Sequence, residues 1–201
     1  MSSEKTIRSP GRPTGGARVV DRDDILKAAE IVIRRDGAGV SLDAVAKQAG
    51  VTKPIVYDRV GGRAELADAL AQRLADRMVA AAGNSISGPN ASGGLASLIE
   101  NNLNTVAENR ELFLYVTGGL TEQTATSRLY LTQRSALPLA EALTKSRISQ
   151  GLDPSVAIPW AYGIVGMLQT VSLWWISQEQ ESAAQVASQI AELLAPGLNR
   201  E

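Results

Sequence analysis

The chain of 201 residues contains no cysteine and no histidine. Without cysteine there are no disulfides and no thiolate metal sites, and a reducing compartment is allowed. Without histidine the commonest general base, the commonest metal ligand and the usual switch near neutral pH are missing. Carboxylate or Ser–Lys chemistry stays open, but no catalytic motif stands out. The expectation is a protein that is not an enzyme, binds no metal and carries no cofactor. No apolar stretch follows the N-terminus, so no signal peptide is expected and the location should be cytoplasmic. No β pattern and no internal repeat is found either.

What is present is ordinary for a globular chain: 44% of residues are hydrophobic, which argues against disorder overall. Net charge is −1, but it is unevenly spread. Residues 1–77 hold 14 Lys+Arg against 11 Asp+Glu, and residues 78–201 hold 6 against 10. A mildly basic N-terminal module on an acidic body follows. From Pro154 to Gln178 there is no charged residue. That length spans a bilayer, yet a helix buried on two sides gives the same pattern. Pro159, Gln169, Thr170 and Ser172 favour the buried helix, so no membrane is expected.

Residues 1–20 are polar and rich in Pro, Gly and Ser, and read as a flexible basic arm. Asp21 to Asp24 supplies a helix start, and Ile25, Ala28, Ala29, Val32 and Ile33 keep helical spacing until Gly37 and Gly39. Ser41 caps a short second helix carrying Leu42, Val45 and Ala46. Gly50 makes a turn, Thr52 caps a third helix, and Gly61-Gly62 breaks it. The fourth helix places Leu66, Leu70, Leu74 and Met78 on one face. Residues 83–94 read as a loop or a frayed connection. Helical patterns then continue: Leu95 to Val106, Leu112 to Val116, a long helix through Pro138 that the proline should kink, a restart at Asp153-Pro154, and a last helix near residues 182–195. The chain should be all-α, with about nine helices.

Two short helices around a glycine turn, "SLDAVAKQAGVTKPIVYDRV", match a helix-turn-helix at residues 41–60. Val56 and Val60 lie one turn apart and face the core with Val51. Pro54 is tolerated in the first turn, where N–H groups lack intrahelical partners, and the Thr52 hydroxyl is expected to bond the Ile55 N–H. Lys53, Pro54, Ile55, Tyr57 and Arg59 are left for outward faces. Lys53 suits a phosphate or a guanine edge, Ile55 a thymine methyl, and the Tyr57 hydroxyl a phosphate. The same spacing also suits a plain helical hairpin with a partly buried tyrosine. In the arm "RSPGRPTGGAR", Arg12, with Arg8 and Arg18, suits a narrow A·T-rich minor groove; a solubilising tail has the same composition.

Residues 25–74, beginning "ILKAAEIVIRRDGAGVSLDAVAKQAGVTKPIVYDRVGGRAEL", resemble the N-terminal domain of TetR-family transcriptional regulators. The family pattern aligns without a gap. Val45 replaces the usual isoleucine, Val56 the usual leucine and Val60 the core phenylalanine. Gly62-Arg63 replaces Ser-Lys, so a helix cap is lost and the cation is kept. Asp58 stands where many members carry a neutral or basic residue. The resemblance implies a three-helix DNA-binding domain at 21–66 and an effector-binding and dimerisation domain at 67–201. It implies phosphate contacts at Ser41, aided by the helix dipole, and at Arg63. It implies a homodimer reading an inverted-repeat operator on double-stranded DNA, and a repressor released by a small molecule. An activator of the same family, or a membrane-associated or structural helical protein with an incidental hairpin, are the alternatives.

For the body, the Pro154 helix carries one stripe of Trp160, Ile164, Met167, Leu168, Val171 and Trp175 and another of Tyr162, Val165, Gln169 and Ser172. A helix apolar on two faces needs two covers, one of which is expected to be a second subunit. Gly163, Ile164, Met167, Val171 and Trp175, with Val186, Ile190 and Leu194 of the last helix, are the expected dimer interface. Polar residues beside apolar stripes suit a ligand pocket. Asn102, Tyr130, Arg134, Trp160 and Gln169, with Phe113, are the expected lining, although each polar group suits a structural hydrogen bond equally.

Overall fold

The computed structural model describes residues 20–83, 91–118, 122–178 and 181–198. Among them are nine α-helices, two short 3₁₀ turns and no strand. They are α1 (Arg22–Asp36), α2 (Leu42–Ala49), α3 (Lys53–Arg59), α4 (Arg63–Gly83), α5 (Ala91–Glu108), α6 (Arg110–Thr117), α7 (Glu122–Ser149), α8 (Ala157–Ser177) and α9 (Ala183–Leu198). The expected all-α architecture is therefore what the chain adopts. The arm, with Arg8, Arg12 and Arg18, lies outside the described residues.

Local chemistry accounts for the helix ends. Asp21 and Asp24 form a reciprocal capping box at α1, with the Asp24 N–H donating to Asp21 Oδ1 at 2.9 Å. The 3₁₀ turn Pro154–Val156 precedes α8, and Asp153 caps it through the Ser155 N–H at 2.9 Å. One expectation needs correcting. The glycines of residues 83–94 do not mark one loop: α4 runs on to Gly83 and α5 starts at Ala91, so Gly93 and Gly94 are helical. Pro138 lies inside α7, which continues through it to Ser149 as one helix.

The first core gathers Ile25, Ala29, Val32 and Ile33 of α1 with Val45, Val56 and the Leu66, Leu70, Leu74 face of α4. It continues without a break into Val106, Phe113, Val116 and Leu131. Division at residue 66 thus falls where packing is continuous, because α4 belongs to both halves. A second core joins Ile99 and Leu103 of α5 to Ile164 and Leu168 of α8 and to Val186, Ala187 and Ala191 of α9. A third is a seam of small side chains, Ala136 and Ala140 of α7 against Ala161 and Val165 of α8. Here α7 and α8 approach closely because alanine leaves little side-chain volume between them.

Helix α8 is thereby covered on two sides by its own chain. Together with the turn before it, Pro154–Ser177, it is the one described segment long and apolar enough to cross a membrane, at mean hydropathy 1.4. The side still open holds Gly163, Thr170 and Trp174, the last 47% exposed.

Candidate functional site

The α2–turn–α3 hairpin is built by caps and by two glycines. Ser41 Oγ accepts the Ala44 N–H at 3.2 Å. Gly50 takes φ 69, and its N–H and that of Val51 reach back to Lys47 and Ala46 carbonyls, at 3.3 and 3.0 Å. That closure needs a left-handed residue, which any Cβ disfavours. Gly61 takes φ 99, and a Cβ there would stand 2.8 Å from the Cβ of Glu65. So α3 leaves and α4 enters at an angle that only glycine permits.

Within α3 the apolar residues divide as the spacing predicts. Val56 and Val60 are buried, while Lys53, Pro54, Ile55, Tyr57 and Arg59 face outward. Ile55 is 39% and Tyr57 51% exposed. Ile55 and Tyr57, two residues apart and so on different faces of α3, are both left to solvent, with Lys53 and Arg59 exposed on the same helix. Thr52 departs from expectation. It sits at the N-cap position but its hydroxyl makes no capping bond. The Ile55 N–H donates instead to the Thr52 carbonyl at 3.0 Å, in a tight first turn. The hydroxyl has no cap role to fill, and Thr52 is exposed.

Electrostatics of this face are mixed. Lys53 Nζ pairs with Asp43 of α2 at 2.9 Å, which raises the ammonium's pKa above its ordinary value. Arg59 lies 3.5 Å from Asp58. Arg63 opens α4 on the exposed side, close enough to buried Tyr115 to oppose the upward push that burial gives that phenol. The helix cap missing from Gly62-Arg63 is half restored, because Glu65 Oε2 accepts the Gly62 N–H at 2.8 Å. Asp43 and Glu65 are site residues that the sequence reading did not single out. The Glu65 contact follows the capping-box spacing and was findable. The Asp43 contact crosses the turn and was not.

An ionic clamp ties this domain to the body. Glu30 of α1, with its side chain 14% exposed, accepts from Arg77 Nη2 at 2.6 Å and Arg73 Nη1 at 3.3 Å. Arg73 also pairs with Asp23, and Arg77 donates to Asn109 Oδ1 at 3.0 Å. Burial, then the neighbouring Arg77 and Arg22, hold the Arg73 pKa below its ordinary value. Two adjacent guanidinium groups thus depend on the carboxylate between them.

Among the described residues, two of the cavities in the body hold residues expected to meet a ligand. The inner one, about 170 Å³, is enclosed by Met78 and Val79 of α4, Asn102 of α5, Ser135 of α7, and Val165 and Leu168 of α8. The outer one, about 680 Å³ and more open, lies between the ends of α7, α8 and α9. The six expected ligand residues do not converge. Asn102 lines the inner cavity, and its Nδ2 donates to Ser172 Oγ at 3.4 Å. Trp160 lines the outer one. Phe113 is fully buried in the first core. Tyr130 is 37% exposed, and Arg134 pairs with Asp76 at 3.2 Å on the surface. Gln169 Oε1 accepts from Thr132 at 3.0 Å across the α7–α8 seam. Helical spacing put these residues on apolar stripes, but packing turns the stripes toward different neighbours.

The expected dimer residues also need correction. Ile164 and Val186 are 6% and 1% exposed and pack together within one chain. They have no surface left to offer a partner. Val171, Trp175, Ile190 and Leu194 border the same core, and the Trp175 Nε1–H is held by the Glu181 carbonyl at 2.8 Å. Gly163 is on the outward side, beside half-buried Met167.

Residues 25–70 match the family model described as bacterial regulatory proteins, tetR family. The transcriptional regulator AlkX of Mycobacterium tuberculosis is 38% identical over 64 residues, 31% of this chain and 30% of that protein. This alignment thus spans under a third of that relative's length. A second regulator of the same organism, Rv0472c, is 25% identical over 195 residues, covering 94% of this chain and 82% of its own. Among solved structures, the TetR-family repressor AlkX of Dietzia sp. shares the fold at TM-score 0.69 and 24% identity, over 91% of this chain and 97% of that one. FadR of Bacillus subtilis, solved with stearoyl-CoA, shares it at TM-score 0.66 and 18% identity, over 87% and 98%. The helix-turn-helix of residues 41–60 lies inside the matched segment, so residues 25–70 form a helix-turn-helix domain of the tetR-family type.

Proposed function

We propose that the protein is a cytoplasmic repressor that binds an inverted-repeat operator as a homodimer and is released by a small apolar or mildly polar molecule. The observation that carries the DNA-binding part is the division within α3: two valines buried, and Lys53, Ile55 and Tyr57 presented to solvent on one short helix. Ile55 meets a thymine methyl. Lys53 meets a base edge or phosphate once freed from Asp43. Ser41, Thr52, Tyr57 and Arg63 meet phosphates, and Pro54 packs against the backbone. Arg12 and Arg18, in the arm, reach the adjacent minor groove. Residues 21–66 bind DNA, and 67–201 bind the effector and the second subunit.

Support for a dimer comes from the uncovered side of α8. Gly163, Met167, Thr170 and Trp174 recur at helical spacing, without a charge, beside a fully folded core. A protein–protein contact explains such a stripe without a bilayer, and two-fold pairing gives two recognition helices roughly 34–36 Å apart. Support for an effector comes from the inner cavity. Its volume of about 170 Å³ is below the roughly 300–1,000 Å³ of sites for drug-sized ligands. A ligand of more than a few carbons therefore has to enlarge it, moving α4. That AlkX of Dietzia sp. is implicated in n-alkane biodegradation and FadR was solved with stearoyl-CoA fits an elongated apolar effector.

The test is binding to the gene's own upstream region, footprinted and then titrated across a salt series. Wild type should protect an inverted repeat. Arg63→Ala should lower the magnitude of the salt slope by about 2, since one phosphate contact is lost in each of the two half-sites of the dimer. Ile55→Ala should relax base preference by about 1 kcal/mol while leaving non-specific binding nearly unchanged. An unchanged slope in Arg63→Ala removes its phosphate role. Equal affinity of wild type for operator and random duplex removes the regulator reading of α3.

A further inference from the structure

The outer cavity contains a feature that DNA binding does not use. Arg147, near the end of α7, lines it and is 7% exposed. Its Nε–H donates to the Asp153 carbonyl at 2.6 Å, and its guanidinium carbon sits 4.9 Å from the centre of the Trp160 ring. Its Nη1 is buried and has no hydrogen-bond partner. No carboxylate pairs with it among the described residues. The Asp153 carboxylate accepts from the Ser155 hydroxyl and N–H, which hold its pKa below the ordinary value with help from the nearby guanidinium, but it forms no ion pair with Arg147. A buried cation normally finds an anion, because burial without one costs several kcal/mol.

Apart from Asp153, the walls around this cation are apolar: Val156, Pro159, Trp160, Ile164, Leu194 and Leu198, with Gly163 of the proposed dimer stripe among them. The volume of about 680 Å³ falls in the range of ligand sites. We propose that this cavity is a second ligand site, for a carboxylic acid with an apolar body. The carboxylate neutralises Arg147 and the body lies against Trp160 and the leucines of α9. Arginine suits the head group because its planar fork matches a carboxylate while its face stacks on the indole. Nothing in the inner cavity offers a cation, since its polar lining groups are Asn102 and Ser135. The two sites thus select different chemistries, and this one stands independently of the effector reading.

The experiment uses the full chain, with decanoate as the anionic probe and decanol as its neutral counterpart, followed by titration calorimetry at pH 7. Decanoate should saturate near one per chain and bind at least tenfold more tightly than decanol. Arg147→Gln should erase that preference. Arg147→Lys keeps the charge and should keep part of it, which guards against a folding defect in the first variant. Leu98 of α5 also lines the inner cavity, and Leu98→Trp, which fills it, should leave decanoate binding unchanged. Equal binding of the two probes to wild type overturns the proposal. So does loss of decanoate binding in Leu98→Trp with retention in Arg147→Gln, which places the acid in the inner cavity. Absence of decanoate binding, with a dimer that weakens in Arg147→Gln, overturns it in favour of a second subunit filling the cavity.

Discussion

Replacing Glu30 by glutamine should destabilise the protein by about 2 kcal/mol. The substitution keeps size and one acceptor oxygen but removes the charge between Arg73 and Arg77. Removing one partner of a buried ion pair costs about 3–5 kcal/mol. Two features reduce that here. The Arg77 side chain is 36% exposed, so water recovers part of its solvation, and Arg73 retains Asp23. What remains is the repulsion of two neighbouring guanidinium groups that burial already disfavours. In a chain of this length each kcal/mol moves Tm by about 2–4 °C, so a fall of about 4–8 °C is expected. Urea denaturation at fixed protein concentration measures it, repeated at about 0.15 and 1 M salt. A partly buried cluster is screened less than a surface pair, so more than half the loss should survive high salt. A loss under about 0.5 kcal/mol, or one that vanishes at 1 M salt, would refute the reasoning and make the clamp an ordinary surface network.

Thr170→Glu should split the dimer and leave each subunit folded, because Thr170 is exposed on the open side of α8. A penalty of about 3 kcal/mol weakens association roughly 100-fold, which sedimentation at micromolar concentration will register, and an intact dimer there removes this face from the interface. Ile164→Glu should instead unfold the chain, since that residue is buried in the second core. Asp43→Asn frees Lys53 from an exposed pair and removes a negative charge beside the recognition helix, so DNA affinity should rise by fluorescence anisotropy; unchanged or weaker binding means that the pair does not compete with DNA.

Where the sequence carried a phase, it was legible. In α1 to α4, charged residues mark the solvent side of every helix, so periodicity alone placed Ile25, Val32, Val45, Val56 and Leu70 in the core. Helix α8 carries no charge, and its polar residues Gln169, Thr170 and Ser172 lie on different sides, so they do not mark which side is open. Ile164 and Gly163 are adjacent in sequence and equally admissible at a dimer face, and only packing against α5 and α9 separates them. The cavities were illegible for a related reason. Met78, Val79 and Leu168 line one as apolar residues indistinguishable from core, and a void is a failure of neighbours to meet rather than a property of any residue. The clamp joins residues more than forty positions apart, which no local spacing records.

The position of that clamp along α4 has a mechanical consequence. The helix runs from Arg63 beside the recognition helix to Met78, Val79 and Ala82 at the inner cavity, and Arg73 and Arg77 are fixed between those ends. It is a rod with its fulcrum off centre. At about 1.5 Å per residue, the arm toward DNA is about 18 Å and the arm toward the cavity about 7 Å. A push at the short arm moves the long arm in the opposite sense, multiplied by about 2.5. On the reading proposed above, widening the cavity by about 1 Å shifts Arg63 by roughly 2–3 Å, enough to carry it out of reach of a phosphate.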